Sequence, residues 1–242
     1  MMEIFHVLNR GVDKRNIFLD DQDRFRFTHD LFEFNDENRV DTASYYNYIH
    51  NRSSQCDDIE CRHINRFGYD KKSLRQSRKP RQLLVDILVF CLMGNHYHLL
   101  LSPLVKEGIP RFMKKLNMGY AKYFNEKYKR KGALFEGRYR SVPVIEEKHL
   151  SYLPYYIHFN PLDFVFPNWR NGNINNQKKA ITYLKKYRWS SHLDYLGIKN
   201  FPSITSRDYM LKILGGSELY EKNIEDWLKE MDSEKVGIFT LE

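Results

Sequence analysis

Cysteine is scarce in this chain. Cys56, Cys61 and Cys91 are the three among 242 residues. An odd, small number excludes a disulfide framework and points to a reducing cytoplasm. Long apolar runs are missing too. The mean hydropathy is −0.64, and no stretch approaches the roughly 18 apolar residues of a membrane span. The opening Met1-Met2-Glu3-Ile4-Phe5-His6 has no basic segment leading into an apolar one, so no secretory leader is expected. There is no internal repeat and no low-complexity tract, which removes solenoid and linker-like readings.

What is present is a globular composition, 42% hydrophobic and 29% charged. The length suits one large domain, or a core with elaborations. The net charge is +8 and the pI about 9.2, so a polyanionic partner is plausible. The charge is concentrated. Between Arg111 and Arg140 stand ten Lys/Arg against two Glu, which amounts to the net charge of the whole chain. Tyr120, Tyr123, Tyr128, Phe135 and Tyr139 interleave with them. Basic side chains hold phosphates while aromatic faces stack unpaired bases. The bland alternative is a solvated helix face over core aromatics. Arg10, Lys114, Lys115, Lys122, Lys129, Arg130, Lys131, Arg138 and Arg140 are the candidate DNA-binding residues.

Patterning gives the element order. Glu3 to Asn9 reads as a short strand, and Asp20 or Asp21 can cap a helix carrying Phe25, Phe27, Leu31 and Phe34. From about 36 to 80 the pattern is lost, and this stretch reads as an insertion. Gln82 to Met93 is a buried strand by its β-branched content, and His96 to Ser102 is its antiparallel return. Ile109, Phe112, Met113, Leu116, Tyr120, Tyr123 and Phe124 form one apolar helical stripe, with Pro110 in its first turn and Gly132 closing it. Leu134 to Ile145 reads as a strand or hairpin, and a helix opens at Glu146-Glu147 and ends at Pro161. The natural packing is α+β, a four-stranded antiparallel sheet with helices on one face. Residues 1–165 are then the core domain. Residues 166–242 form a C-terminal accessory segment with a helical stretch near 208–228.

Two polar clusters stand out. In Gly94-Asn95-His96-Tyr97-His98-Leu99-Leu100 the two histidines lie two apart on a strand and share a face. In Tyr156-Ile157-His158-Phe159-Asn160-Pro161 the Tyr and Asn lie four apart on a helix and share a face. Two imidazoles and a carboxamide suit one metal ion, with a phenol placed to attack a metal-bound phosphate. Taken alone, the histidines read equally well as inert strand residues, and Tyr152, Tyr155 and His158 compete with Tyr156. Cys56-x4-Cys61-x-His63 is a weaker zinc candidate that lacks a fourth ligand.

Together these stretches resemble the HUH single-strand nucleases, and within them the bacterial single-tyrosine transposases. Gly94 to Leu100 resembles the His-hydrophobe-His motif, with Tyr97 at the hydrophobic position. Lys131-Gly132-Ala133-Leu134-Phe135-Glu136-Gly137-Arg138-Tyr139-Arg140 resembles the segment before the nucleophile helix, and Tyr156 to Pro161 the nucleophile motif. Phe5-His6-Val7-Leu8-Asn9-Arg10-Gly11 resembles the first strand, and Tyr187-Arg188-Trp189-Ser190-Ser191 a segment of the REP-associated subgroup.

The resemblance implies a ferredoxin-like fold. It implies a divalent metal, magnesium or manganese, held by His96, His98 and Asn160, and Tyr156 as the nucleophile on single-stranded or hairpin DNA. The product is a 5′-phosphotyrosine with a free 3′-hydroxyl, in a bacterial cytoplasmic, nucleoid-associated monomer or homodimer. Pro154 departs from a regular nucleophile helix and marks either its true start or a kink. Two other classes stay open: a catalytically silent DNA- or RNA-hairpin-binding protein, and a metal-dependent hydrolase without a covalent tyrosine.

Overall fold

The computed structural model describes residues 2–38, 81–171 and 174–230. Cys56, Cys61 and His63, and almost all of the expected insertion at 36–80, lie outside them. The chain divides into two units, 1–35 with 84–242, and 36–83. Within the second, Glu37 N–H donates to the Gln82 carbonyl at 2.7 Å.

The first unit is built on four strands, β1 (Phe5–Arg10), β2 (Val85–Leu92), β3 (His96–Pro103) and β4 (Arg140–Pro143). Their order is β2-β3-β1-β4, and every neighbouring pair is antiparallel. Helix α1 (Asp21–Glu33) links β1 to β2, and α2 (Gly108–Lys127) links β3 to β4. This is the expected ferredoxin-like α+β order. Asp20 caps α1 with a full capping box, its carboxylate on Asp23 N–H and the Asp23 side chain on the cap backbone. Helix α2 ends at Lys127, five residues before Gly132, because Lys129 already turns into the left-handed region with φ 50°. Of the expected strand at 134–145 only β4 forms, with a lone bridge from Phe135 to Gly11.

Helices cover both faces of the sheet, which corrects the one-face expectation. Alternation along β3 sends Tyr97, Leu99 and Leu101 to one side and His96, His98 and Leu100 to the other. On the Tyr97 side lie α1 and α2. The Phe27 ring is 4.7 Å from that of Tyr97, and the Tyr97 hydroxyl donates to Asn117. The two helices pack so closely that a Cβ on Gly119 would stand 2.4 Å from the Phe34 ring. On the His98 side lies α3 (Glu147–Phe159), whose Tyr156 ring faces that of His98. Pro154 sits inside α3 rather than at its start, and it has no N–H to give the Leu150 carbonyl.

Beyond α3, a 3-10 turn (Asn160–Phe164) leads to α4 (Gln177–Lys186), α5 (His192–Tyr195), α6 (Arg207–Leu214), α7 (Ser217–Lys222) and α8 (Ile224–Glu230). The last three occupy the stretch expected to be helical. These elements share one apolar cluster with α3 and β2, running from Val89 and Cys91 through Leu153, Tyr156 and Trp169 to Tyr220 and Leu228. Trp189 to Ser191 pair with the outer edge of β2. Leu92 N–H donates to the Trp189 carbonyl at 2.9 Å, and Ser191 N–H to the Phe90 carbonyl at 3.0 Å. Behind this edge is a buried polar relay. The Tyr220 hydroxyl lies 2.7 Å from His158 Nδ1 and 2.8 Å from His192 Nδ1, and His158 Nε2 lies 2.7 Å from Ser191 Oγ. The hydroxyl donates to one ring and accepts from the other, while His192 Nε2 is buried without a hydrogen-bond partner among the described residues.

Candidate active site

Strand periodicity and helix periodicity meet where the sequence places them. His96 and His98 project from β3 with ring centroids 5.0 Å apart. From the facing α3, the Tyr156 ring lies 6.2 Å from that of His98, edge to face. One turn on, Asn160 Nδ2 donates to the Tyr156 carbonyl at 3.0 Å. His98, Tyr156 and Asn160 are each 0% exposed, while His96 is half-buried with Nδ1 2.6 Å from Asn95 Oδ1. Burial, helped by the cation of Arg170, pushes the His98 pKa down to about 3, so the ring is neutral and fit to act as a ligand.

Two residues that sequence reasoning missed complete the cluster. His6 lies on β1, on the same face, and its Nε2 is 3.0 Å from His98 Nδ1. Arg170 follows the 3-10 turn, its side chain 19% exposed. Its guanidinium donates to Asn160 Oδ1 at 2.7 Å and pairs with Asp163. It lies over the rings of Trp169 at 4.6 Å and Tyr156 at 5.7 Å. Neither residue has a sequence neighbour at a telling interval. The only local signal was His6 in a strand whose alternate positions point to the histidine face.

The candidate DNA-binding residues fall into two groups. Leu8 is opposite both His98 and Arg140, and Arg10 is opposite His96, so Arg10 and Arg140 share the histidine face. With Arg138, Leu8, Asn9 and Glu136 they line a cleft, where Arg10 pairs with Glu136 at 3.0 Å. Lys114, Lys115 and Lys122 ride on α2, over the opposite face, and Lys129, Arg130 and Lys131 follow its end. Of these, Lys114, Lys122, Lys129 and Lys131 are exposed. Arg130 holds Asn125 Oδ1 at 2.9 Å.

The aromatics interleaved among them belong mostly to the core. Tyr120, Tyr123 and Phe135 are buried, and the Tyr128 hydroxyl donates to Asp23 at 2.8 Å beside Lys127. Tyr128 is thus a tie between α1 and the end of α2, not a free stacking surface.

Two imidazoles and a carboxamide match a divalent cation in donor type, with no carboxylate among the three. The described residues hold no group of three or more His, Cys, Asp or Glu arranged for a metal. No described helix is long and apolar enough to cross a membrane.

Comparison with known proteins gives a match over residues 72–160 to the family described as "Transposase IS200 like". That segment contains His96, His98, Tyr156 and Asn160, and it bears out the resemblance read from the sequence. No curated protein matches the chain. Among solved structures, one described as a REP-associated tyrosine transposase bound to a REP hairpin is 10% identical, with a TM-score of 0.43 over 86% of this chain and 88% of that one.

Proposed function

We propose that this chain cleaves and rejoins single-stranded DNA through Tyr156, acting on hairpin-forming sequences in transposition or at dispersed repeats. The observation that carries the reading is the approach of Tyr156 to His98 across the sheet–helix interface, inside a segment that matches the IS200-like transposases. The phenol oxygen attacks the scissile phosphorus. A new Oη–P bond forms, the P–O3′ bond breaks, and the phenol proton ends on the departing 3′-oxygen. A second 3′-hydroxyl reverses the step and joins strands.

His96, His98 and Asn160 are the residues that would hold magnesium or manganese. A bound cation there neutralises charge on the phosphate. The rest falls to the protein. His6 orients His98, and Arg10, Arg138 and Arg140 hold phosphates beside the site. The lysines of α2 and its following loop take more distant phosphates. Residues 1–165 supply the chemistry, and 166–242 act as the accessory segment that braces α3. A DNA substrate places the protein in the cytoplasm, at the nucleoid.

Complete burial of Tyr156 favours one alternative, a hairpin-binding protein that never exposes its tyrosine. Incubation with labelled hairpin DNA and Mn²⁺ separates the two. A covalent adduct surviving denaturing electrophoresis is expected, and binding without any adduct would leave the alternative standing.

A further inference from the structure

We propose that Arg170 is a built-in competitor of the divalent metal. Its guanidinium occupies one lone pair of the Asn160 carboxamide oxygen and sets a cation against it, so the ion gains its third protein donor in competition with Arg170. This rests on the reading of His96, His98 and Asn160 as the metal-holding set.

Both ends of the Asn160 carboxamide are committed. Nδ2 donates to the Tyr156 carbonyl at 3.0 Å, which fixes which end is oxygen, and Oδ1 accepts from Arg170 Nη2 at 2.7 Å. A metal would need that same oxygen, since an amide nitrogen bearing two protons is no ligand. The competitor is well anchored. Asp163 Oδ1 accepts from Arg170 and also from Trp169 Nε1, the latter at 2.7 Å. The cation is stacked on the Trp169 ring.

The local charge points the same way. None of the three donors is a carboxylate, and a fixed cation lies 5.7 Å from the Tyr156 ring. A divalent ion must displace a charge-assisted hydrogen bond and then sit beside a like charge. Arg170 keeps a second partner in Asp163, so withdrawal from Asn160 does not strand it.

The test is Mn²⁺ binding to the full chain by titration calorimetry, which reads affinity without turnover. Arg170→Met keeps the stem over Trp169 and removes every donor. It should tighten Kd roughly tenfold or more, as expected for losing one charge-assisted bond from the competing state. In an Asn160→Ala background the same substitution should give a clearly smaller gain, the part due to charge alone, because the contested oxygen is gone.

An unchanged or weaker Kd for Arg170→Met overturns the proposal. A gain of the same size without Asn160 also overturns it, since that is charge repulsion alone. Should Arg170→Met not fold, Arg170→Lys takes its place. Lys keeps the charge but lacks the fixed planar fork that aims one N–H at Asn160 while another holds Asp163, so a partial tightening supports the proposal and a native Kd defeats it. Mn²⁺ binding that His98→Ala fails to weaken, or no binding at all, defeats the metal reading and the proposal together. His98-dependent binding that ignores Arg170 defeats the proposal alone.

Discussion

His6 Nε2 lies 3.0 Å from His98 Nδ1, joining β1 to β3 by a buried bond between two rings that the chain separates by 92 residues. The bond requires a donor on one ring and an acceptor on the other. With His98 Nδ1–H donating, its Nε2 carries the lone pair a metal requires. Partners of this kind fix ring orientation, and their loss costs about 10–100-fold in metal affinity or activity. His6→Ala should therefore weaken Mn²⁺ binding by that order while the far-ultraviolet circular dichroism stays native. Unaltered Mn²⁺ affinity would show that His98 holds its orientation unaided.

Tyr156→Phe should abolish the covalent adduct and leave hairpin binding close to native. Its neighbours serve as controls, since Tyr155 is stacked on Tyr220 and Trp227 and Tyr152 meets Trp227. Tyr152→Phe and Tyr155→Phe should still form the adduct. An adduct in Tyr156→Phe that disappears in either control would move the nucleophile to that residue.

Removing the metal should stop cleavage in the native protein, and His96→Ala and His98→Ala should each do the same. Asn160→Ala should weaken metal use without ending it, because a neutral carboxamide oxygen is a modest ligand for a hard cation. Full cleavage of labelled hairpin DNA in excess chelator would refute this arrangement.

Arg138 and Arg140 are exposed around the cleft they share with Arg10, and Lys129 and Lys131 are exposed at the end of α2. Neutralising each phosphate-contacting side chain should reduce the log–log salt slope of single-strand binding by about 0.7. Titrations at several salt concentrations read this directly, and unchanged slopes would mark a solvated face. Tyr128→Ala should instead lower the melting temperature, since it deletes the bond to Asp23.

Acid should destabilise the fold well above the carboxylate range. Burial, with Lys185 nearby, pushes the His192 pKa down to about 3. Burial, with His192 nearby, holds His158 well below the ordinary histidine value. The unfolded chain takes up these protons below about pH 6.5 while the folded chain refuses them, so stability present at neutral pH is lost as pH falls. The slope approaches roughly 1.4 kcal/mol per pH unit for each histidine. Urea unfolding between pH 5 and 6.5 measures it. A flat profile there would mean that the relay around Tyr220 accepts charge.

The two polar clusters were legible because each obeys a local period, two residues on β3 and four at the end of α3. The antiparallel return of β3 on β2 was legible from the same alternation, while the ferredoxin-like arrangement came with the resemblance. The face that α3 occupies was not legible. Its apolar residues suit either side of the sheet, and the choice is made by Tyr156 meeting His98 and by a tail that packs behind it. His6 and Arg170 were invisible for a related reason, since their partners are set by strand register and by a turn after Pro161. Tyr128 was misread as a stacking surface because nothing in sequence links it to Asp23.

An antiparallel sheet has two borders, and this one treats them differently. β4 is four residues long, ends in Pro143 and carries an exposed Arg140, features that discourage a foreign strand from docking. β2 is eight residues of nearly continuous apolar sequence, and its border is closed by the tail, through Trp189 to Ser191 and through Ser206, whose N–H donates to the Ile87 carbonyl at 2.8 Å. A chain cut after residue 165 would keep every residue of the proposed chemistry. It would also bare a long apolar template able to recruit other copies into β-aggregates. Staying in solution therefore ties the tail to the catalytic residues, beside which it sets Arg170.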